Sequence, residues 1–407
     1  MNNKYNIWNK WDPLKTVVLG DCYGPDFFRD IKNHKIRSAL TQIAEETQED
    51  LEYYQTVLKD FGCNVLRPKL DRTDSIMNYI NEDGKVFGTQ GVPGSPLQPR
   101  NNQLVIGNRL LYTGSDHSSM KNVLDEYNDN FICIDGPLSE ASFDGYKGNN
   151  APSWPMYEEY LTSFFTQTLY SQDDSIQKEF EHIHVIDKIR NFLVPAPSIT
   201  VMGKDLYIDV RDIENSAMSE YYLDKFKEQF SNFRCNILNI GGHSDGCFHT
   251  LKPGAILSLY EIQRYTKTFP NWDICYLPNQ SWSKVDGFLK IKEQVGGKWW
   301  VPDQEENYEF TNFVETWLQD WVGYVEETVF DVNVLVLDEH HVCVNNMNPT
   351  VIDFLKKHNM EAVHVPWRHR YFWDGGLHCI TLDLYREGTQ QDLFPNRKTA
   401  IADHGFD

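Results

Sequence analysis

The stretch VLVLDEHHVCVNN, residues 334–346, alternates apolar and polar positions around a polar Asp-Glu-His turn. A period of two broken by turn-forming residues predicts a β-hairpin. A helix-like segment follows at 349–357, and then a third apolar run, AVHVPW (362–367). The same order of strand, turn, strand, helix and strand recurs along the chain. Hairpins are predicted at LVIGNRLLYT (104–113), ITVMGKDLYID (199–209) and TLKPGAILSL (250–259). Helices are predicted at 120–127, 216–229 and 260–268, closed by the strands FICID (131–135), CNILNI (235–240) and ICYL (274–277). A fifth, partial copy comes first: TVVLG (16–20), a long helix over 36–61, then CNVLRP (63–68). Five ββαβ-type units predict an α/β fold built by radial or stacked repetition.

Uneven spacing between the copies implies insertions at about 137–195 and 280–325, and no linker-like stretch divides the chain. Residues 1–407 therefore read as a single domain. The second insertion contains GGKWWVPDQEENYEF (296–310), aromatic and acidic, which suits a lid, a partner surface or a solvated excursion.

Hydrophobic residues at 41% and charged residues at 24% describe a globular chain, not a disordered one. A formal charge of −21 argues against binding to nucleic acid or an anionic membrane, but a carboxylate-lined pocket can still collect cationic small molecules. The eight cysteines form no C-x-x-C pair, and Cys63 and Cys343 lie in apolar runs, a usage that suits a reducing compartment. MNNKYNIWNKW has no apolar signal-peptide region, and no apolar run approaches the ~20 residues of a membrane span. These features predict a soluble, cytoplasmic protein.

Chemistry concentrates in two glycine-rich stretches, WDGGLHC (373–379) and GGHSD (241–245). Cys379 follows a double glycine that lets backbone approach a ligand, which suits a thiolate nucleophile; the plainer alternative is a buried strand cysteine. His243 has an ordinary pKa near working pH and suits an acid–base partner, while its plainer role is a hydrogen-bonded loop histidine. His243, Cys247 and His249 are also ligand types at close spacing, but no second cluster completes a zinc site. Asp205 and Asp245 both lie on predicted turns, where Asp is common; two carboxylates also match a planar guanidinium. In a pseudo-symmetric ring, equivalent strand ends point to one axis, which would let Asp205, His243 and Cys379 converge.

These motifs resemble the glycine (arginine:glycine-type) amidinotransferases of the pentein, or α/β-propeller, superfamily. NKWDPLKTVVLGD (9–21) looks like that family's opening strand, and QPRNNQLVIGNRLL (98–111) resembles the start of its second unit. MGKDLYI (202–208) resembles the stretch carrying its catalytic aspartate, which makes Asp205 a catalytic candidate, and GGHSDGCFHTLKPGAILS (241–258) its histidine motif. NVLVLDEHHVCVNN (333–346) and DGGLHCITLDLYREG (374–388) resemble its last unit and its nucleophile motif. The likeness runs in order from about residue 7 to 390.

The resemblance implies five ββαβ units around a central axis, a homodimer, and no cofactor or metal. It makes Cys379 the nucleophile, His243 the acid–base group, and Asp205 and Asp245 the guanidinium-binding carboxylates. The implied reaction is ping-pong: arginine donates its amidino group to the cysteine, ornithine leaves, and an acceptor amine collects the group. Arg100, Asn101, Arg264, Glu326 and Glu327 fall at substrate-binding positions of the family pattern, with departures. Asn101 replaces an expected aspartate, Arg264 is only near the expected arginine, and Glu326-Glu327 replace small hydroxyl residues. Two carboxylates at that position favour a basic or neutral acceptor over glycine. The same residues would also serve an arginine or agmatine deiminase-type hydrolase with water as second nucleophile. A non-catalytic pentein binding module is a further alternative, and the retained cysteine, histidine and aspartates speak against it.

Overall fold

The computed structural model describes residues 4–80, 92–101, 103–112, 120, 123, 131–133, 196–209, 226–238, 240, 243–260, 262–263, 265–278, 280, 304, 306–318, 321–322, 331–373 and 375–400. Five three-stranded sheets organise it, and each joins one antiparallel pair to one parallel pair. In the first sheet β1 (Leu14–Leu19) lies between β15 (Thr381–Arg386) and β2 (Asn64–Leu66). The second holds β3 (Gln103–Ile106), β4 (Arg109–Tyr112) and β5 (Phe131–Cys133), and the third β6 (Ile199–Met202), β7 (Asp205–Asp209) and β8 (Arg234–Leu238). The fourth holds β9 (Phe248–Lys252), β10 (Ala255–Leu259) and β11 (Asp273–Leu277), and the fifth β12 (Leu335–Val336), β13 (His341–Val344) and β14 (Glu361–His364).

In four of the sheets a hairpin supplies the antiparallel pair and a later strand adds in parallel, as the sequence pattern predicts. The first sheet differs, because the antiparallel partner of β1 is β15, from the opposite end of the described chain. The hairpin strands are buried along almost their whole length, consistent with sheets covered on both faces. Residues 6–9 run across three of these units through bridges to Tyr385, Gly107 and Met202. Gly107 permits this: its φ is +59°, and a Cβ there would stand 2.8 Å from the Trp8 ring.

Helix α1 (His34–Asp60) begins where the Asn33 side chain accepts from the Lys35 amide at 3.0 Å, an N-cap that satisfies an otherwise orphaned donor. Ile36, Leu40, Ile43, Leu51, Tyr54 and Leu58 recur at helical spacing and are buried against the first sheet and the segment before Cys379. Trimming one of these side chains to alanine removes about 2–5 kcal/mol. Three polar positions of α1 also hold that segment. Trp373 Nε1 donates to Thr47 at 2.8 Å, Arg368 Nε donates to Asp50 at 2.8 Å, and His369 Nε2 meets Glu46 at 2.5 Å.

One expectation needs correction. Residues 260–268 form turns where they are described, not a helix. Tyr265 and Phe269 are buried there, and Ser258 meets the Tyr265 hydroxyl; aromatic and β-branched residues of weak helix propensity follow those side-chain demands. The segment read as an insertion at 280–325 contains α3 (Tyr308–Trp317), whose Phe310 and Val314 enter the core beside α1. This part of the insertion is packed structure. The predicted helix at 216–229 is seen only from residue 226, and the insertion at 137–195 lies outside the described residues. No described helix is long and apolar enough to cross a membrane.

Candidate active site

Three pieces of backbone meet around Cys379. The first is the turn at 375–380, between the short helix Arg370–Trp373 and β15. Gly375 has φ +125°, and a Cβ on Gly376 would lie 2.5 Å from the Asn333 side-chain oxygen, so the double glycine allows the turn to close on that residue. The second piece is Asn333, just before β12. Its Oδ1 accepts from the amides of His378 at 2.9 Å and Cys379 at 3.3 Å. That leaves Nδ2 aimed at the Cys379 sulfur, to which it donates at 2.9 Å. The third piece is the short helix α2 (Ser244–Cys247), which carries Asp245. The Cys379 thiol donates to Asp245 Oδ2 at 3.8 Å, and His378 Nδ1 lies 2.6 Å from the same oxygen.

The centre is buried and rich in nitrogen. Cys379, Asp245, His378, His249 and Lys10 are all nearly inaccessible to solvent. Burial drives the His378 pKa well below 6.5, helped by the positive charges of Arg100 and Lys10. A neutral imidazole therefore donates its Nδ1 proton to Asp245. His249 is held neutral in the same way, by burial and then by Lys10 and Arg100, and its ring meets the His378 ring edge-on at 4.9 Å. Burial also lowers Lys10 to about 8, although the charge of Asp245 opposes that shift.

The residues expected at the site have separate fates. The structure brings Cys379 and Asp245 together, and His243 stands half-buried at the N-terminus of α2, two residues before Asp245. Asp205 is engaged elsewhere. Arg234 donates to both its oxygens, at 3.1 and 2.6 Å, Arg397 donates at 3.1 Å and Asn236 at 2.9 Å. Its carboxylate does bind guanidinium, but the guanidinium belongs to the chain itself. Asp205, expected to be catalytic, is thus held by internal cations apart from the Cys379 contacts described above.

Arg100 is likewise a support rather than an open substrate ligand. Its Nε donates to the carbonyls of His378 and Thr381, each at 3.0 Å, and Nη2 pairs with Asp383 at 2.8 Å. Burial pushes the Asp383 carboxyl up, but Arg386 and Arg100 outweigh it and leave it below the usual range. Asn101 donates to Gln98 at 2.6 Å, and Gln98 donates to the Trp373 carbonyl at 3.0 Å, so Asn101 steadies the turn from a distance. Arg264, Glu326 and Glu327 lie outside the described residues.

Sequence reading passed over Asn333, His378 and Lys10. His378 adjoins the cysteine in the quoted motif and was open to notice. Asn333 and Lys10 carry no local signal, because only the tertiary fold brings them to the centre. His249, considered earlier as a metal ligand, packs on His378, and among the described residues no group of His, Cys, Asp or Glu is arranged to hold a metal ion.

No family model matches the chain. It is 22% identical to the mitochondrial glycine amidinotransferase of Xenopus tropicalis over 95% of its own length and 84% of that protein. It is 20% identical to the L-arginine:L-lysine amidinotransferase of Pseudomonas savastanoi pv. phaseolicola over 94% of each chain. Among solved structures it resembles an amidinotransferase of Microseira wollei from saxitoxin biosynthesis, with TM-score 0.56 and 18% identity, covering 96% of this chain and 100% of that one. Fold and collinear sequence likeness thus agree: along nearly its whole length the chain is similar to amidinotransferases, and it shares their fold.

Proposed function

We propose that this protein moves the amidino group of arginine to an acceptor amine through a covalent amidino-cysteine at Cys379. The observation that carries the reading is the placement of the Cys379 sulfur between an amide donor, Asn333 at 2.9 Å, and a carboxylate, Asp245 at 3.8 Å. A thiolate beside a carboxylate is disfavoured while the site is empty, because two like charges oppose each other. A guanidinium seated on Asp245 removes that repulsion and presents its carbon to the sulfur. The Asn333 amide then stabilises the anion it already faces.

The Cys379 sulfur attacks the guanidinium carbon, the bond from that carbon to the ornithine nitrogen breaks, and the departing amine takes a proton. His243 is our candidate for the group that delivers it and later accepts one from the incoming amine. The acceptor nitrogen attacks the same carbon, and the carbon–sulfur bond breaks to restore the thiolate. Asp205 has no direct part in this scheme.

The relatives differ in the acceptor their names state, glycine in one and lysine in the other. Glu326 and Glu327 lead us to propose a basic or neutral amine. We also read residues 1–407 as one domain whose units close around a shared axis, and the protein as a cytoplasmic homodimer. The bridging of three units by residues 6–9 supports the closure.

Purified protein incubated with arginine and a panel of amines, including glycine and lysine, tests the reaction. Amine-dependent ornithine that disappears in Cys379→Ala is the expected result. Citrulline with ammonia would move the assignment to a deiminase, and glycine used as well as any other amine would overturn the acceptor proposal.

A further inference from the structure

Lys10 enters the buried centre without a partner of its own. Its neighbours in sequence fix its place: Asn9 bridges to Met202 and donates to Asp12 at 3.0 Å, and Trp11 joins the core cluster that includes Phe248. The lysine between them is 8% exposed. Among the described residues its ammonium makes no hydrogen bond and no ion pair. The guanidinium groups nearby are matched, since Arg100 pairs with Asp383 at 2.8 Å and Arg386 with the same carboxylate at 2.7 Å. His249 and His378 are neutral and offer Lys10 no charge. The charge that acts most strongly on Lys10 is that of Asp245, ahead of Arg100, Asp383 and Arg386.

A buried ammonium without hydrogen-bonded partners keeps its proton only while a nearby negative charge offsets the lost hydration. Asp245 is that charge. A substrate guanidinium seated on Asp245 would cancel it and set a second cation beside the first. The lysine can relieve that repulsion by releasing a proton to solvent, whereas a guanidinium cannot. We propose that Lys10 is the resident counter-ion of Asp245 and gives up its charge when a cationic donor binds, so that donor binding releases a proton. The ammonium becomes a neutral amine, and the guanidinium takes its place as the balancing cation. Burial already brings Lys10 to about 8, within reach of this exchange near neutral pH. The exchange rests on Asp245 receiving the donor, as proposed above.

Calorimetry of arginine binding to Cys379→Ala protein, run at pH 7 in buffers of different ionisation enthalpy, counts the protons exchanged. Release of most of one proton is expected, and affinity should rise about five- to tenfold from pH 7 to about 8.5. Lys10→Met and Lys10→Arg should both abolish the release and flatten the pH dependence, since neither side chain loses a proton in this range. Their affinities should move apart. At pH 7 Lys10→Met is expected to bind arginine about tenfold more tightly than the parent, and Lys10→Arg about tenfold more weakly. Opposite shifts from two variants at one position are not produced by a merely structural role, which would weaken both. Release that persists in Lys10→Met, or no release from the parent, would overturn the proposal and leave the reaction standing. Lys10-dependent release on arginine binding, with no ornithine formed by wild-type protein, would support the exchange and overturn the reaction alone. No binding of arginine to the parent or either variant would overturn both.

Discussion

Asp205 and Asp245 are both fully buried carboxylates, and their surroundings differ in kind. Asp205 begins β7 and is bound by two guanidinium groups and an amide, which leave no room for a substrate. Asp245 meets a neutral imidazole and a thiol. The first has spent its charge within the fold; the second keeps it directed at the Cys379 sulfur. A guanidinium-binding carboxylate is thus an architectural part in one place and a candidate catalytic one in the other. Asp383, bound by Arg100 and Arg386, belongs with Asp205.

The largest expected difference is in activity. Asp245→Asn should lower kcat/KM for ornithine release about a thousandfold, with unfolding in urea little altered. Asp205→Asn should do the reverse, costing about 3–5 kcal/mol because Arg397 loses its carboxylate and Arg234 keeps only Asp392, while kcat of the folded fraction stays within about threefold. An Asp205→Asn protein that is stable but inactive would reverse the two assignments.

A smaller effect sharpens the Asp245 side. Asn333→Ala removes the donor to sulfur, so the pH profile for Cys379 alkylation should move up by about one unit, with no change in an Asp205→Asn control. The smallest is in the acid response. His378 and His249 are neutral when folded, with pKa values below the unfolded value of about 6.5, so the unfolded chain binds more protons beneath that pH. Stability is complete above 6.5 and falls as the pH drops from there towards the folded values. Melting temperature measured from pH 7.5 to 5 should decline, and His249→Leu should flatten the slope.

Much of the backbone was legible beforehand, because hairpins advertise themselves through alternation and turn glycines. The helix at 349–357 was readable from its Asn348–Pro349 start and apolar spacing. Helix α3 was missed, although Asn307 caps it and Phe310 and Val314 stand at i and i+4, since the tryptophans and acids before it masked that period. The two aspartates could not be told apart locally. The arginines that close Asp205 lie 29 and 192 positions away, and nothing near residue 205 records their arrival. For the same reason Asn333 gave no warning: its partner is 46 positions further on.

The pairing of β1 with β15 has a consequence for how the protein comes into being. Asn6 hydrogen-bonds the Arg386 carbonyl across 380 positions, so the first sheet joins strands made far apart in time during synthesis. The turn bearing Cys379 immediately precedes β15 and is clamped through it by Arg100 and Asp383. On the ribosome, the growing chain can complete its other hairpins while its thiol is still unmade. The Cys379 sulfur is fixed in place only when β15 docks on β1, and a chain stalled before that carries an unassembled centre.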